Sequence, residues 1–159
     1  MTDSLAPSLV LGEVVEVESS VTSHKVRLQR LDMPKGVETD WLAVITPMAG
    51  DKAGLLFTPE IGDLAVVAFA GQRPIVMGYL FGGGMEPPTG KSEERIIQSR
   101  DGSALVLIDG DDSGITLRDK HDNEIKMTKD GITIKTKGDL TIEATGTATI
   151  KGKTVELNP

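Results

Sequence analysis

The chain contains no cysteine. That excludes a disulfide framework and a thiolate metal site. Aromatic residues are scarce, with three Phe, one Tyr and one Trp among 159 residues. Binders of single-stranded nucleic acid stack bases on such rings along a basic groove. Positive charge is also short: 17 Lys and Arg stand against 24 Asp and Glu, for a net charge of -7. Phosphate affinity rests on Lys and Arg releasing counterions, so no nucleic-acid partner is expected. No apolar run reaches the ~18 residues of a membrane-spanning helix. Residues Met1 to Pro7 lack a basic region followed by an apolar core, so they do not read as a secretory signal. Helical periodicity is missing too, as are nucleophile-elbow, P-loop and zinc patterns.

What is present is glycine, at 18 residues, and short stretches of Val, Ile and Leu. This composition predicts short strands joined by many turns. Five strands are expected in the first half: Leu11 to Glu18, His24 to Leu31, Trp41 to Thr46, Asp63 to Ala70 and Pro74 to Phe81. The second alternates apolar and polar residues, which predicts one buried and one wet face. The fourth is almost wholly apolar, which predicts burial on both faces. The segment from Ala49 to Pro59 reads as a loop with one helical turn. Five short strands suit a small closed barrel, because closure removes free strand edges. Gly82-Gly83-Gly84-Met85-Glu86-Pro87-Pro88 then interrupts any regular element.

Beyond the break the sequence repeats. Thr133, Thr141 and Thr149 are eight residues apart, as are Ile134, Ile142 and Ile150. Gly138, Gly146 and Gly152 punctuate the units, and looser units lie at Leu105–Ile108, Ile115–Leu117 and Ile125–Met127. A single-chain solenoid needs rungs of ~20 residues, so an octad cannot wrap a core by itself. Three chains around a common axis can. Ile132, Ile134, Leu140, Ile142, Ala148, Ile150, Val155 and Leu157 would then face inward, with Thr133, Lys135, Thr141, Glu143, Thr149, Lys151 and Glu156 in water. Burying each large apolar side chain contributes ~1.5–3 kcal/mol. That gain exceeds the ordering entropy only on assembly. The strands of this segment are expected to hydrogen-bond between chains.

Three stretches carry a family resemblance. Trp41-Leu42-Ala43-Val44-Ile45-Thr46-Pro47-Met48-Ala49-Gly50, Thr58-Pro59-Glu60-Ile61-Gly62-Asp63-Leu64-Ala65-Val66-Val67-Ala68-Phe69 and Arg73-Pro74-Ile75-Val76-Met77-Gly78-Tyr79-Leu80 occur in order ahead of the octads. Together they resemble the oligosaccharide/oligonucleotide-binding (OB) barrel and triple-stranded β-helix of phage baseplate assembly protein V and VgrG-type spikes. The resemblance implies an all-β chain, with a five-stranded OB barrel followed by an intertwined trimeric β-helix needle. The expected organisation is an arm at 1–9, the barrel at 10–81, a linker at 82–95 and the needle at 96–159. It implies a structural central spike that joins a baseplate hub to the tip and pierces the target envelope on sheath contraction. The spike would be made in the bacterial cytoplasm and built into a tail or injection particle.

The chain departs from some relatives. The short linker leaves no room for a lysozyme, so no enzymatic activity is expected. Only about nine residues precede the barrel, which implies a separate hub protein. Val155, Leu157, Asn158 and Pro159 stand at the needle end and would seat a PAAR-type tip protein. No cofactor, catalytic residue or metal ligand is expected. Asp109-Gly110-Asp111-Asp112-Ser113-Gly114 resembles the opening of a calcium loop, but its twelfth position is Lys120 instead of Glu. It reads as a turn. His121 lies between Asp and Asn neighbours and also reads as a turn residue. A nucleic-acid-binding module with an oligomerising tail, or a cell-wall hydrolase, is the competing class. Charge, aromatic content and the missing insert count against both.

Overall fold

A computed structural model describes residues 9–20, 23–70 and 73–156. Among these residues there is no helix, and the ordered backbone is all strand. The chain divides into two compact units, Met1–Pro87 and Pro88–Pro159.

The first unit contains β1 (Leu9–Ser20), β2 (Ser23–Arg30), β3 (Leu42–Val44), β4 (Ala49–Gly50), β5 (Ala53–Gly54), β6 (Leu64–Ala70) and β7 (Arg73–Leu80). Five of them close a barrel in the order β1-β2-β3-β7-β6, as the sequence predicts. β1 is 12 residues long, and that length lets it serve two neighbours. Its first half pairs with β6, and Gly12 onward pairs with β2. A bulge between Val14 and Glu16 bends it from one partner to the other. Gly12 lets the strands pack closely there, because a Cβ would stand 3.0 Å from the Leu28 Cβ.

The interior is small and aliphatic: Val14, Val26, Leu28, Leu42, Ala65, Val67 and Val76. Val26 and Leu28 are fully buried while their neighbours face out, as the alternation predicts. β6 differs from the expectation of burial on both faces. Only Ala65 and Val67 are buried, while Leu64, Val66 and Ala68 are partly covered. A closed barrel has one interior, so only every second residue of a strand can reach it. The Ala49–Pro59 segment holds no helical turn; it contains the β4–β5 hairpin, Ala49 opposite Gly54. Gly54 has φ +156 and a Cβ there would lie 2.6 Å from the Met48 carbonyl oxygen, so the backbone is free to approach.

The second unit opens as a meander of five-residue strands: β8 (Glu94–Gln98), β9 (Ala104–Ile108), β10 (Gly114–Arg118), β11 (Glu124–Thr128) and β12 (Gly131–Lys135). All pairings are antiparallel, in the order β12-β11-β10-β9-β8. The looser repeat units are β9, β10 and β11, and the first octad is β12. These strands hydrogen-bond within one chain, which corrects the expectation of interchain pairing along the whole repeat. The reason lies in the turns. The β8–β9 turn is closed by Ser99 N–H to Ser103 O at 2.8 Å, with Gly102 at φ +91. In the β9–β10 turn, Gly110 has φ +91 and its carbonyl accepts from Ser113 N–H at 3.1 Å. Each reverses the chain on itself. Past Lys135 no strand occurs among the described residues.

Candidate assembly interface

The pairing register of the meander sorts its side chains into two faces. On one face, Ile97, Leu105, Leu117, Ile125 and Ile134 stand directly opposite one another across all five strands. A second row on the same face is Arg95, Leu107, Ile115, Met127 and Ile132. Every member but Arg95 is apolar, and Arg95 is neutralised by Asp109 at 3.1 Å. The opposite face carries Ile96, Val106, Thr116, Lys126 and Thr133 in one row and Gln98, Ala104, Arg118, Glu124 and Lys135 in another.

Burial runs against the ordinary pattern of a half-solvated sheet. The buried residues are the small ones of the mixed face, Ala104, Val106 and Thr116. The large residues of the apolar face are open, apart from the half-buried Ile125: Ile97 is 55% exposed, Leu117 52% and Ile132 70%. An apolar surface spread over two rows of a five-stranded sheet marks an interaction site, because monomeric proteins seldom leave so large a patch bare.

Two members of the inward set predicted from the octads belong to this face. Ile132 and Ile134 lie on β12, in the two apolar rows. Leu140, Ile142, Ala148, Ile150 and Val155 lie in the strandless stretch after Lys135 and are exposed. Ile142 and Ile150 are each 74% exposed. Of the predicted tip-binding end, Val155 is exposed, while Leu157, Asn158 and Pro159 lie outside the described residues. Sequence reasoning missed Ile97, Leu105, Leu107, Ile115, Leu117, Ile125 and Met127 as members of the apolar face. Their alternation was visible, but turns of unequal length break the eight-residue spacing that marks the octads.

The turns that hold the face are polar. Asp119 accepts hydrogen bonds from the backbone N–H of His121 at 2.8 Å and of Asn123 at 3.0 Å, and from the Asn123 side-chain amide at 2.8 Å. The Asn123 amide is the main cause holding the Asp119 carboxyl below the usual carboxylate range. His121 is thus a turn residue beside its capping carboxylate. Asp122 has φ +65 and is paired with Lys137, which likewise lowers its pKa. Thr136 donates to the Asn123 side-chain oxygen at 2.8 Å, which ties the start of the strandless stretch to the β10–β11 turn.

The barrel offers less chemistry. Trp41 is 38% exposed and stands outside the core. It lines a shallow groove with Phe69, Arg30 and Arg73, and the Arg30 guanidinium sits 5.7 Å from the Phe69 ring centre. Gly62 takes φ +94 in the turn before β6, and its N–H donates to Val14 O at 2.8 Å. Burial and the nearby Asp63 carboxylate push the Tyr79 phenol up to about 12, so it stays protonated. Among the described residues, no group of three or more His, Asp or Glu is placed to hold a metal ion, and no helix is long and apolar enough to cross a membrane.

Comparison with protein families gives two matches. A model described as the type VI secretion system/phage-baseplate injector OB domain matches residues 10–81. A model described as the phage baseplate V C-terminal trimerisation domain matches residues 94–159. Comparison with curated proteins returns no match.

Proposed function

Because the chain belongs to the phage baseplate V family, a family of particle-associated structural proteins with an injector OB domain and a trimerisation domain, we propose that it is the central spike of a contractile tail or injection-system baseplate. In this reading the OB barrel meets the hub, the octad segment forms an intertwined β-helix, and its far end seats a PAAR-type tip. Sheath contraction drives the spike through the target envelope.

One observation carries the proposal. Large apolar side chains line one face of the meander and recur in the octads beyond it, and most of them are exposed. A homotrimer covers them by turning three copies toward one axis, with Ile132, Ile134, Leu140, Ile142, Ala148, Ile150, Val155 and Leu157 in its core. Each octad after β12 then finds in neighbouring chains the backbone partners it lacks in its own. Such a rod has few free edges and a dry core, so it resists bending under axial load. Its function is mechanical, and the chain needs no catalytic group for it.

The test has two levels. Sedimentation of the purified chain should give a trimer that persists in detergent; a stable monomer contradicts the reading. Particles produced with only the Ile142→Asp/Ile150→Asp chain should fail to breach the target envelope, because that chain supplies no trimeric needle. Undiminished breaching by those particles would remove the piercing role.

A further inference from the structure

The octads contain a register problem. Thr133, Thr141 and Thr149 are identical, and so are Ile134, Ile142 and Ile150. A chain that slid eight residues along its neighbour would meet the same partners in both columns. The following column is different: it reads Lys135, Glu143, Lys151. Its sign reverses at every octad.

The same alternation is already built into the meander. Arg118 on β10 stands opposite Glu124 on β11, and Glu124 stands opposite Lys135 on β12. All three lie on the mixed face, away from the apolar rows. Lys135 therefore closes a row of alternating charge within its own chain. The octad column carries that row on, with Glu143 and Lys151, into the stretch that has no strand partner in its own chain.

Threefold winding determines what Glu143 meets. In a threefold rod whose faces are each crossed by one octad of a chain in turn, the next octad lies on the adjacent face. By symmetry, one face then stacks successive octads drawn in turn from the three chains. Glu143 of one copy lies between Lys135 of a second copy and Lys151 of the third. A slip by one octad would set Glu143 beside Glu143 and lysine beside lysine. Opposite charges directly across a strand pair are favourable and like charges unfavourable. Exposed pairs contribute little to stability, but a sign reversal discriminates between otherwise equal alignments.

We propose that Lys135, Glu143 and Lys151 form an interchain charge column that fixes the axial register of three copies of this chain. This rests on the trimeric reading above.

The chain's lack of cysteine makes the test clean. Thr133→Cys/Thr141→Cys places a reporter pair in a column that leaves the charges intact. After mild oxidation of the full chain, digestion and mass mapping should show the new thiol at position 133 of one copy bonded to the one at position 141 of another. A non-reducing gel should show a covalent trimer. Adding Glu143→Lys should lower the yield of the 133–141 link about fivefold, in favour of 133–133 and 141–141 links or unassembled chain. Adding Lys135→Glu and Lys151→Glu to that variant restores opposite signs and should restore the link. The proposal is overturned if the parent trimer lacks the 133–141 link. It is equally overturned if Glu143→Lys leaves the link unchanged, or if the reversed column fails to restore it. A trimer by sedimentation in those cases keeps the spike reading intact; a monomer removes both.

Discussion

The two units of this chain solve the problem of sheet edges in opposite ways. The barrel closes β1 onto both β2 and β6, so its core of Val14, Val26, Leu28, Leu42, Ala65, Val67 and Val76 is sealed by one chain. The second unit leaves its sheet open and its large apolar residues bare. The difference is one of contact range. The barrel joins strands far apart in sequence, whereas every pairing of the meander is between consecutive strands. Consecutive hairpins are easy to form but enclose nothing. They supply a face, and the face needs copies. A self-sufficient domain and an assembly-dependent one thus share a single chain.

Several changes would break or sharpen this contrast. The largest effect is expected from Ile142→Asp/Ile150→Asp. It should abolish the trimer, since an unpaired buried charge costs roughly 3–5 kcal/mol. The barrel should stay folded, with Trp41 fluorescence unchanged while sedimentation reports monomer. Leu28→Ala should do the reverse: it empties the barrel core at a cost of ~2–5 kcal/mol, lowering the barrel's denaturation midpoint with the trimer preserved. A smaller loss is expected from Gly114→Ala. A Cβ at that position would meet the Met127 carbonyl oxygen at 2.4 Å. The β10–β11 pair must shift, costing ~1–3 kcal/mol, which thermal denaturation of the trimer should show as a lower midpoint for the second unit alone.

The smallest effect concerns acid. The Asp119 carboxyl is held below its ordinary range by Asn123 and the turn N–H groups. A group with a depressed folded pKa contributes stability that is present above its unfolded value, about 4, and is lost as pH falls through the folded value. Below about pH 4, amide exchange at His121 and Asn123 should therefore quicken before the barrel responds. Asp119→Asn should remove that dependence.

The barrel was legible because alternation in β2, the turn at Gly62 and the break after Phe81 are local signals. The octads show in the sequence because Thr and Ile recur at fixed spacing, and the first of them is strand β12. The meander was half legible. Its strands were visible as loose units, yet their pairing within one chain depends on Ser99, Gly102, Gly110 and Asp119, turn residues whose effect appears only when the hydrogen bonds close. For Trp41 the sequence predicts packing in the core or between chains, and the residue stands 38% exposed outside the core of seven aliphatic side chains.

The stretch beyond Lys135 has one more consequence. Its backbone has no ladder of its own, yet it is tethered to a sheet whose pairings all lie within one chain. Encounter between copies should therefore begin where three such sheets meet through their apolar rows. That meeting places three Lys135 residues around one axis, and the octads can then wind on one after another. In the proposed trimer, assembly would then run from Lys135 toward Val155, with only its first step dependent on protein concentration.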